Sequence, residues 1–76
     1  MDGLNNLKPE RVVRAFERAG WKVMRQTGSH VVLKKESNPV LLTIPVHKGK
    51  PIKKGLLLNQ IKAAGLTVEA FLGYYK

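Results

Sequence analysis

Two histidines and a run of lysines are the residues of this chain whose types and spacing could do chemistry. His30 closes the segment Gly28-Ser29-His30, between two β-like runs at 21–27 and 31–35. Histidine has the unperturbed pKa nearest neutral pH, so it both accepts and donates a proton there. Gly28 has no side chain and lets a phosphate approach the backbone closely. Ser29 adds a hydroxyl and an N–H beside the imidazole. His47 stands 17 positions later and opens a nine-residue segment, 47–55, with four lysines, two glycines and a proline. Lys48, Lys50, Lys53 and Lys54 are compact charges that hold phosphates without reading bases. The helix predicted to follow adds unpaired N–H groups and a positive dipole end. Lys34, with Lys35, Lys22 and Arg25, extends the basic patch.

A proton-transfer group inside a cationic surface points to chemistry on a polyanion. Cleavage of RNA by its own 2′-OH needs a base to take that proton and an acid to protonate the departing 5′-oxygen. Two imidazoles, one neutral and one protonated, serve both needs. Spacing does not say whether His30 and His47 meet, and a loop histidine without a role is the other reading of His47. A lone histidine at a strand start is also commonly a surface or structural residue, and a basic loop is commonly just solvated. Metal catalysis fits poorly: two distant histidines, five scattered carboxylates and no cysteine match no ligand spacing. A serine–histidine–aspartate triad fails because the only aspartate is Asp2. The glycines and lysines form no Walker loop.

The elements that must position these residues are short. Seventy-six residues make a single domain, 1–76, with one modest core. At 43% apolar the chain can fold, and without cysteine it must do so by packing. The balance of 14 basic and 5 acidic residues leaves +9, a surface for nucleic acid or another anionic partner rather than for solubility alone. No apolar run is long enough to span a membrane. The first residues lack the order of a signal peptide, so the expected compartment is the cytoplasm.

Pro9 and Glu10 suit a helix start, and Val12, Val13, Phe16 and Ala19 recur at helical spacing up to Gly20, which predicts a helix over 9–19. In the first strand Trp21, Val23 and Arg25 share one side, with Trp21 and Val23 expected to face the core. In the second, His30, Val32 and Lys34 oppose Val31, Leu33 and Lys35. Residues 36–39 turn the chain into a third strand over 40–46. Short turns make an antiparallel meander. A second helix carries Leu57, Leu58, Ile61 and Ala64 inward with Asn59, Gln60 and Lys62 outward, and stops at Gly65. Thr67 caps a last short helix that turns Phe71 and Leu72 inward, and residues 73–76 form a tail. The predicted class is α+β, in the order α-β-β-β-α plus a short C-terminal helix. The three-stranded antiparallel sheet is covered on one face, and His30 and Lys34 lie on the open face.

Gly20-Trp21, Arg25-Gln26-Thr27-Gly28-Ser29-His30, Thr43-Ile44-Pro45-Val46-His47, Ile52-Lys53-Lys54-Gly55-Leu56-Leu57 and Ile61-Lys62-Ala63-Ala64-Gly65 together resemble the HicA family of mRNA interferase toxins. The resemblance spans residues 7 to 72. It implies a fold like a double-stranded RNA-binding domain, ribosome-independent cleavage of mRNA that blocks translation, and neutralisation by a cognate HicB-like antitoxin. No cofactor is expected. It makes His30, the histidine of the Gly-Ser-His segment, the catalytic one. Where members often carry threonine after the glycine of the second helix, this chain has Leu56, which removes a hydroxyl near a phosphate site. The rival readings are a non-catalytic RNA-binding module of the same fold and an adaptor that offers its open sheet face to an acidic protein.

Overall fold

The computed structural model describes residues 4–76; Asp2 lies outside them. Pro9 opens α1 (Pro9–Arg18), where its missing N–H is not needed, and Glu10 sits in the first turn near the positive dipole end. The helix buries Val12, Val13, Ala15 and Phe16. It ends with Trp21 N–H donating to Phe16 O and Gly20 N–H to Glu17 O, around a Gly20 with φ +103. The second helix stops the same way, with Leu66 N–H on Ile61 O.

Three strands follow, β1 (Lys22–Thr27), β2 (His30–Lys35) and β3 (Asn38–Pro45), antiparallel in the order β1-β2-β3. Then come α2 (Lys54–Ala63) and α3 (Val68–Tyr75). This is the α+β order read from the sequence. Val31 and Leu33 of β2 pair with Ile44 and Leu42 of β3, and all four are buried in one cluster with Val12, Phe16, Trp21, Leu57, Ile61 and Phe71. The helices therefore cover one sheet face. Leu4, Leu7 and Ile52 join the same core, and Ile52 N–H donates to Leu7 O, tying the lysine segment to the chain's start. Leu4 and Leu7 are thus core residues and not merely a lead-in.

Trp21 is buried as expected, with no acceptor for its indole N–H. An indole removing about 200 Å² from water returns about 5 kcal/mol, more than the roughly 1–3 kcal/mol lost on an unpaired donor. Val23, expected in the core, is 42% exposed. Its register shows why. β1 carries one extra residue, Met24, between Val23↔Leu33 and Arg25↔Val32. Val23 keeps the helix-side face but lies on an edge strand that is exposed along its whole length. The other edge is sealed. The Gln60 side chain, expected to point outward, accepts from the Thr43 backbone N–H at 3.2 Å, and the Asn38 side-chain amide donates to Ala63 O at 3.1 Å.

Thr67 caps α3 by accepting from Ala70 N–H at 3.1 Å. The helix then runs through Tyr75 where a tail was expected. Phe71 meets Phe16 with ring centroids 5.0 Å apart. Arg18 donates to Tyr74 O and Lys76 O, Arg11 donates to Tyr75 O and lies 4.4 Å over the Tyr75 ring, and Lys8 N–H donates to the Tyr75 hydroxyl. Cations on the carbonyl end of α3 hold it helical. No helix of the described residues is long and apolar enough to cross a membrane.

Candidate functional site

The turn between β1 and β2 has two residues, Gly28 and Ser29. Gly28 has φ +56 and Ser29 is not in the left-handed region, a placement that suits glycine at the first central position of a hairpin turn. A Cβ on Gly28 would meet nothing within 4 Å, so the turn lies open. His30 follows it, exposed, at the first position of the central strand.

Register assigns the neighbours, because directly paired residues of adjacent strands share a face. His30 pairs with Thr27 on one side and Pro45 on the other. The next row on that face is Arg25–Val32–Thr43, and Lys22 pairs with Lys34 beyond it. This is the face without helices. It carries His30, Lys34, Arg25 and Lys22, and the strands give it no carboxylate; Glu36, in the turn after β2, lines a hollow beside Lys22 and Lys34. Strict alternation along β1 put Arg25 on the side of Trp21 and Val23. The extra residue at Met24 puts Val23 and Arg25 on opposite faces. The one signal in the sequence was an arginine at a position that alternation sends toward a core.

His47 comes to the same end of the sheet. Val46 N–H donates to Ser29 O, so the residue before His47 is bonded to the residue before His30. His47 is exposed, and Lys50 N–H donates to its carbonyl at 3.0 Å, which folds the lysine segment back on itself. A groove of about 390 Å³ is lined by Pro45, His47, Lys50, Lys53 and Leu56, with Pro51 and Ile52. His30's strand partner Pro45 is therefore part of the wall that carries His47, Lys50 and Lys53.

Not every candidate gathers here. Lys48 and Lys54 are exposed but do not line the groove. Lys34 lies four residues along β2 from His30, about 13 Å at ~3.3 Å per residue. It lines a separate hollow of about 550 Å³ with Lys22, Val23 and Met24. Lys35 and Glu36 line the same hollow, but the half-buried Lys35 ammonium is turned to the helix side, where it donates to Ala19 O at 3.2 Å at the end of α1.

The start of α2 completes the site. Lys53 precedes the helix in an extended conformation, no side chain caps it, and its first turn has no acidic residue. N–H groups without a cap and a positive dipole end favour an anion. Gly55 sits in that first turn, where a Cβ would meet nothing within 4 Å of the rest of the chain. Packing does not require a glycine there, and its absent side chain leaves the backbone approachable. Among the described residues no three histidine, cysteine, aspartate or glutamate side chains gather as a metal site would need.

Residues 9–66 match the family described as HicA toxin of bacterial toxin-antitoxin systems, which covers everything from the start of α1 to the stop after α2 and leaves α3 outside. No curated protein matches the chain.

Proposed function

Because this chain belongs to the HicA toxin family, we propose that it arrests translation by cutting mRNA, without a metal, through His30. The lysines of the segment after β3 and the start of α2 hold the RNA backbone. His30, unprotonated, takes the proton of a ribose 2′-OH. The 2′-oxygen attacks the adjacent phosphorus, the bond from phosphorus to the 5′-oxygen breaks, and that oxygen leaves with a proton. The products are a 2′,3′-cyclic phosphate and a 5′-hydroxyl. His47 is the group that supplies the second proton in this scheme. Gly28 and Ser29 give the phosphate room and a hydrogen-bond donor, and Lys34 guides the strand along the open face. The protein partner is a HicB-like antitoxin, and the site of action is the cytoplasm, where mRNA is.

The observation that carries this reading is the bond from Val46 N–H to Ser29 O. It brings the exposed His30 and the cationic segment that begins at His47 to one end of a helix-free face. Histidine acid–base catalysis contributes about 10²–10⁴-fold in rate. In EDTA, the parent should cut a single-stranded oligoribonucleotide to cyclic-phosphate ends, and a 2′-O-methyl analogue should survive. His30→Ala should bind the analogue as the parent does and lose cleavage by at least ~100-fold. Equal cleavage by the variant removes His30 from the mechanism. A parent that binds RNA and never cuts it leaves the non-catalytic RNA-binding module.

A further inference from the structure

We propose that Arg25 is the residue that grips the phosphate on which His30 acts. The inference rests on the reading of His30 as the catalytic base. Three observations lead to it. First, register makes Arg25 the diagonal neighbour of His30: Thr27 pairs with His30, and Arg25, two residues before Thr27, pairs with Val32. Diagonal neighbours on one face lie about 7–8 Å apart, within reach of a long side chain. Lys34, the cation of His30's own strand that shares its face, is about 13 Å away.

Second, the placement depends on a specific irregularity. Without the extra residue at Met24, Arg25 would share the helix-side face of Val23. Bulges re-aim side chains beside active sites. Third, Val32 is only 8% exposed yet does not belong to the core cluster. What covers it lies on the open face, where its lateral partners are Arg25 and Thr43. An arginine stem lying over Val32 keeps its head at the level of the neighbouring row, where His30 stands. The Arg25 side chain makes no hydrogen bond or ion pair with the described residues, so its five donors are uncommitted.

The chemistry suits a guanidinium. Attack by the 2′-oxygen concentrates negative charge on the two non-bridging oxygens of the phosphate. A planar fork with parallel N–H donors binds both at once, and its hold strengthens as the charge grows. A lysine at the same position supplies charge without the fork.

The test compares the parent with Arg25→Ala, Arg25→Lys and, as control, Arg14→Ala, an exposed arginine of α1 away from the sheet's open face. Thermal unfolding first confirms that each is folded. Affinity for a 2′-O-methyl oligonucleotide is measured against salt, and single-turnover cleavage of the ribo-oligonucleotide is measured in EDTA. Arg25→Ala is expected to lower the salt slope by about 0.7, one phosphate on a single strand. It should also slow cleavage about 100-fold at saturating protein, the usual loss for one transition-state donor. Arg25→Lys should restore the slope and only part of the rate, and Arg14→Ala should change neither. Unchanged slope and rate in Arg25→Ala overturn the assignment. A lost slope with an unchanged saturating rate also overturns it, by reducing Arg25 to general binding. If the parent does not cut while Arg25→Ala still loses its phosphate, the contact stands and the reading of His30 falls.

Discussion

Arg11 and Arg18 of α1 and the cations around His30 carry the same charge and have opposite surroundings. Arg18 reaches Tyr74 O at 2.8 Å and Lys76 O at 3.0 Å, and Arg11 reaches Tyr75 O at 3.0 Å. Their charge is met by the carbonyl end of α3, so it belongs to the fold. The side chains of Lys22, Arg25, Lys34, Lys48, Lys50 and Lys53 make no such bond with the described residues. Among the described residues no side-chain bond commits their charge, which is the condition in which a polyanion is attracted and its counterions released. The formal +9 therefore includes cations the fold has already engaged, such as Arg11 and Arg18, beside others whose side chains are not. The division also follows the family match, since α3, which satisfies Arg11 and Arg18, lies beyond residues 9–66.

The sharpest way to break this contrast is to loosen α3. Phe71 is fully buried against Phe16. Phe71→Ala should destabilise the protein by about 3–5 kcal/mol, read from urea unfolding. At low temperature, where the variant remains folded, cleavage of RNA should persist, because α3 contributes no residue to the groove or to the rows of the open face. A loss under ~1 kcal/mol would mean that α3 is an ornament on a fold complete without it.

A smaller effect, on the other population, comes from replacing Lys48, Lys50 and Lys53 together by alanine. All three are exposed, so the melting temperature should move little. The slope of log affinity against log salt should become shallower by about 2, at ~0.7 per phosphate contact on single strands. A slope equal to the parent's would show that the segment after β3 does not meet the backbone. Arg18→Ala is the mirror experiment. It should cost about 1 kcal/mol of stability, as expected for an exposed cation at a helix C-terminus, and leave the salt slope where it was.

How much of this was legible in the sequence depends on whether a feature is local. Pro9, the helical spacing of Val12, Val13 and Phe16, and the stop at Gly20 are local, and α1 was readable from them. So was the two-residue turn at Gly28-Ser29, and so was Thr67 as a cap. The extra residue at Met24 was not, because a period of two does not locate an inserted residue and only the arginine at 25, where alternation expects a core side chain, hinted at it. Residues 73–75 read as a tail because Gly73 argues against a helix; the cations of α1 hold them helical from far away in sequence. Leu4 and Leu7 belong to no periodic run, so nothing announced their burial. At the candidate site, the identities of His30 and the lysines could be read directly. Their arrangement could not, since the meeting of the turn before β2 with the end of β3 is a long-range pairing, and the departure of Lys35 toward Ala19 is a tertiary bond.

The smallest predicted effect separates the two kinds of role within a single residue. Gly55 lies in the first turn of α2, and an added Cβ would meet nothing within 4 Å beyond its own helical turn and chain neighbours. Glycine inside a helix is less stable than alanine by roughly 0.5–1 kcal/mol, because it loses more backbone freedom on folding. Gly55→Ala should therefore raise the melting temperature. The same methyl group points toward the helix N-terminus, as every helical Cβ does, and so toward the uncapped N–H groups where a phosphate would sit. RNA affinity and cleavage should fall as stability rises. Opposite signs are what a residue kept for a ligand produces, and a residue kept for the fold cannot produce them. If stability and RNA affinity rise together, the start of α2 is not part of the RNA path, and the lysines before it hold the strand alone.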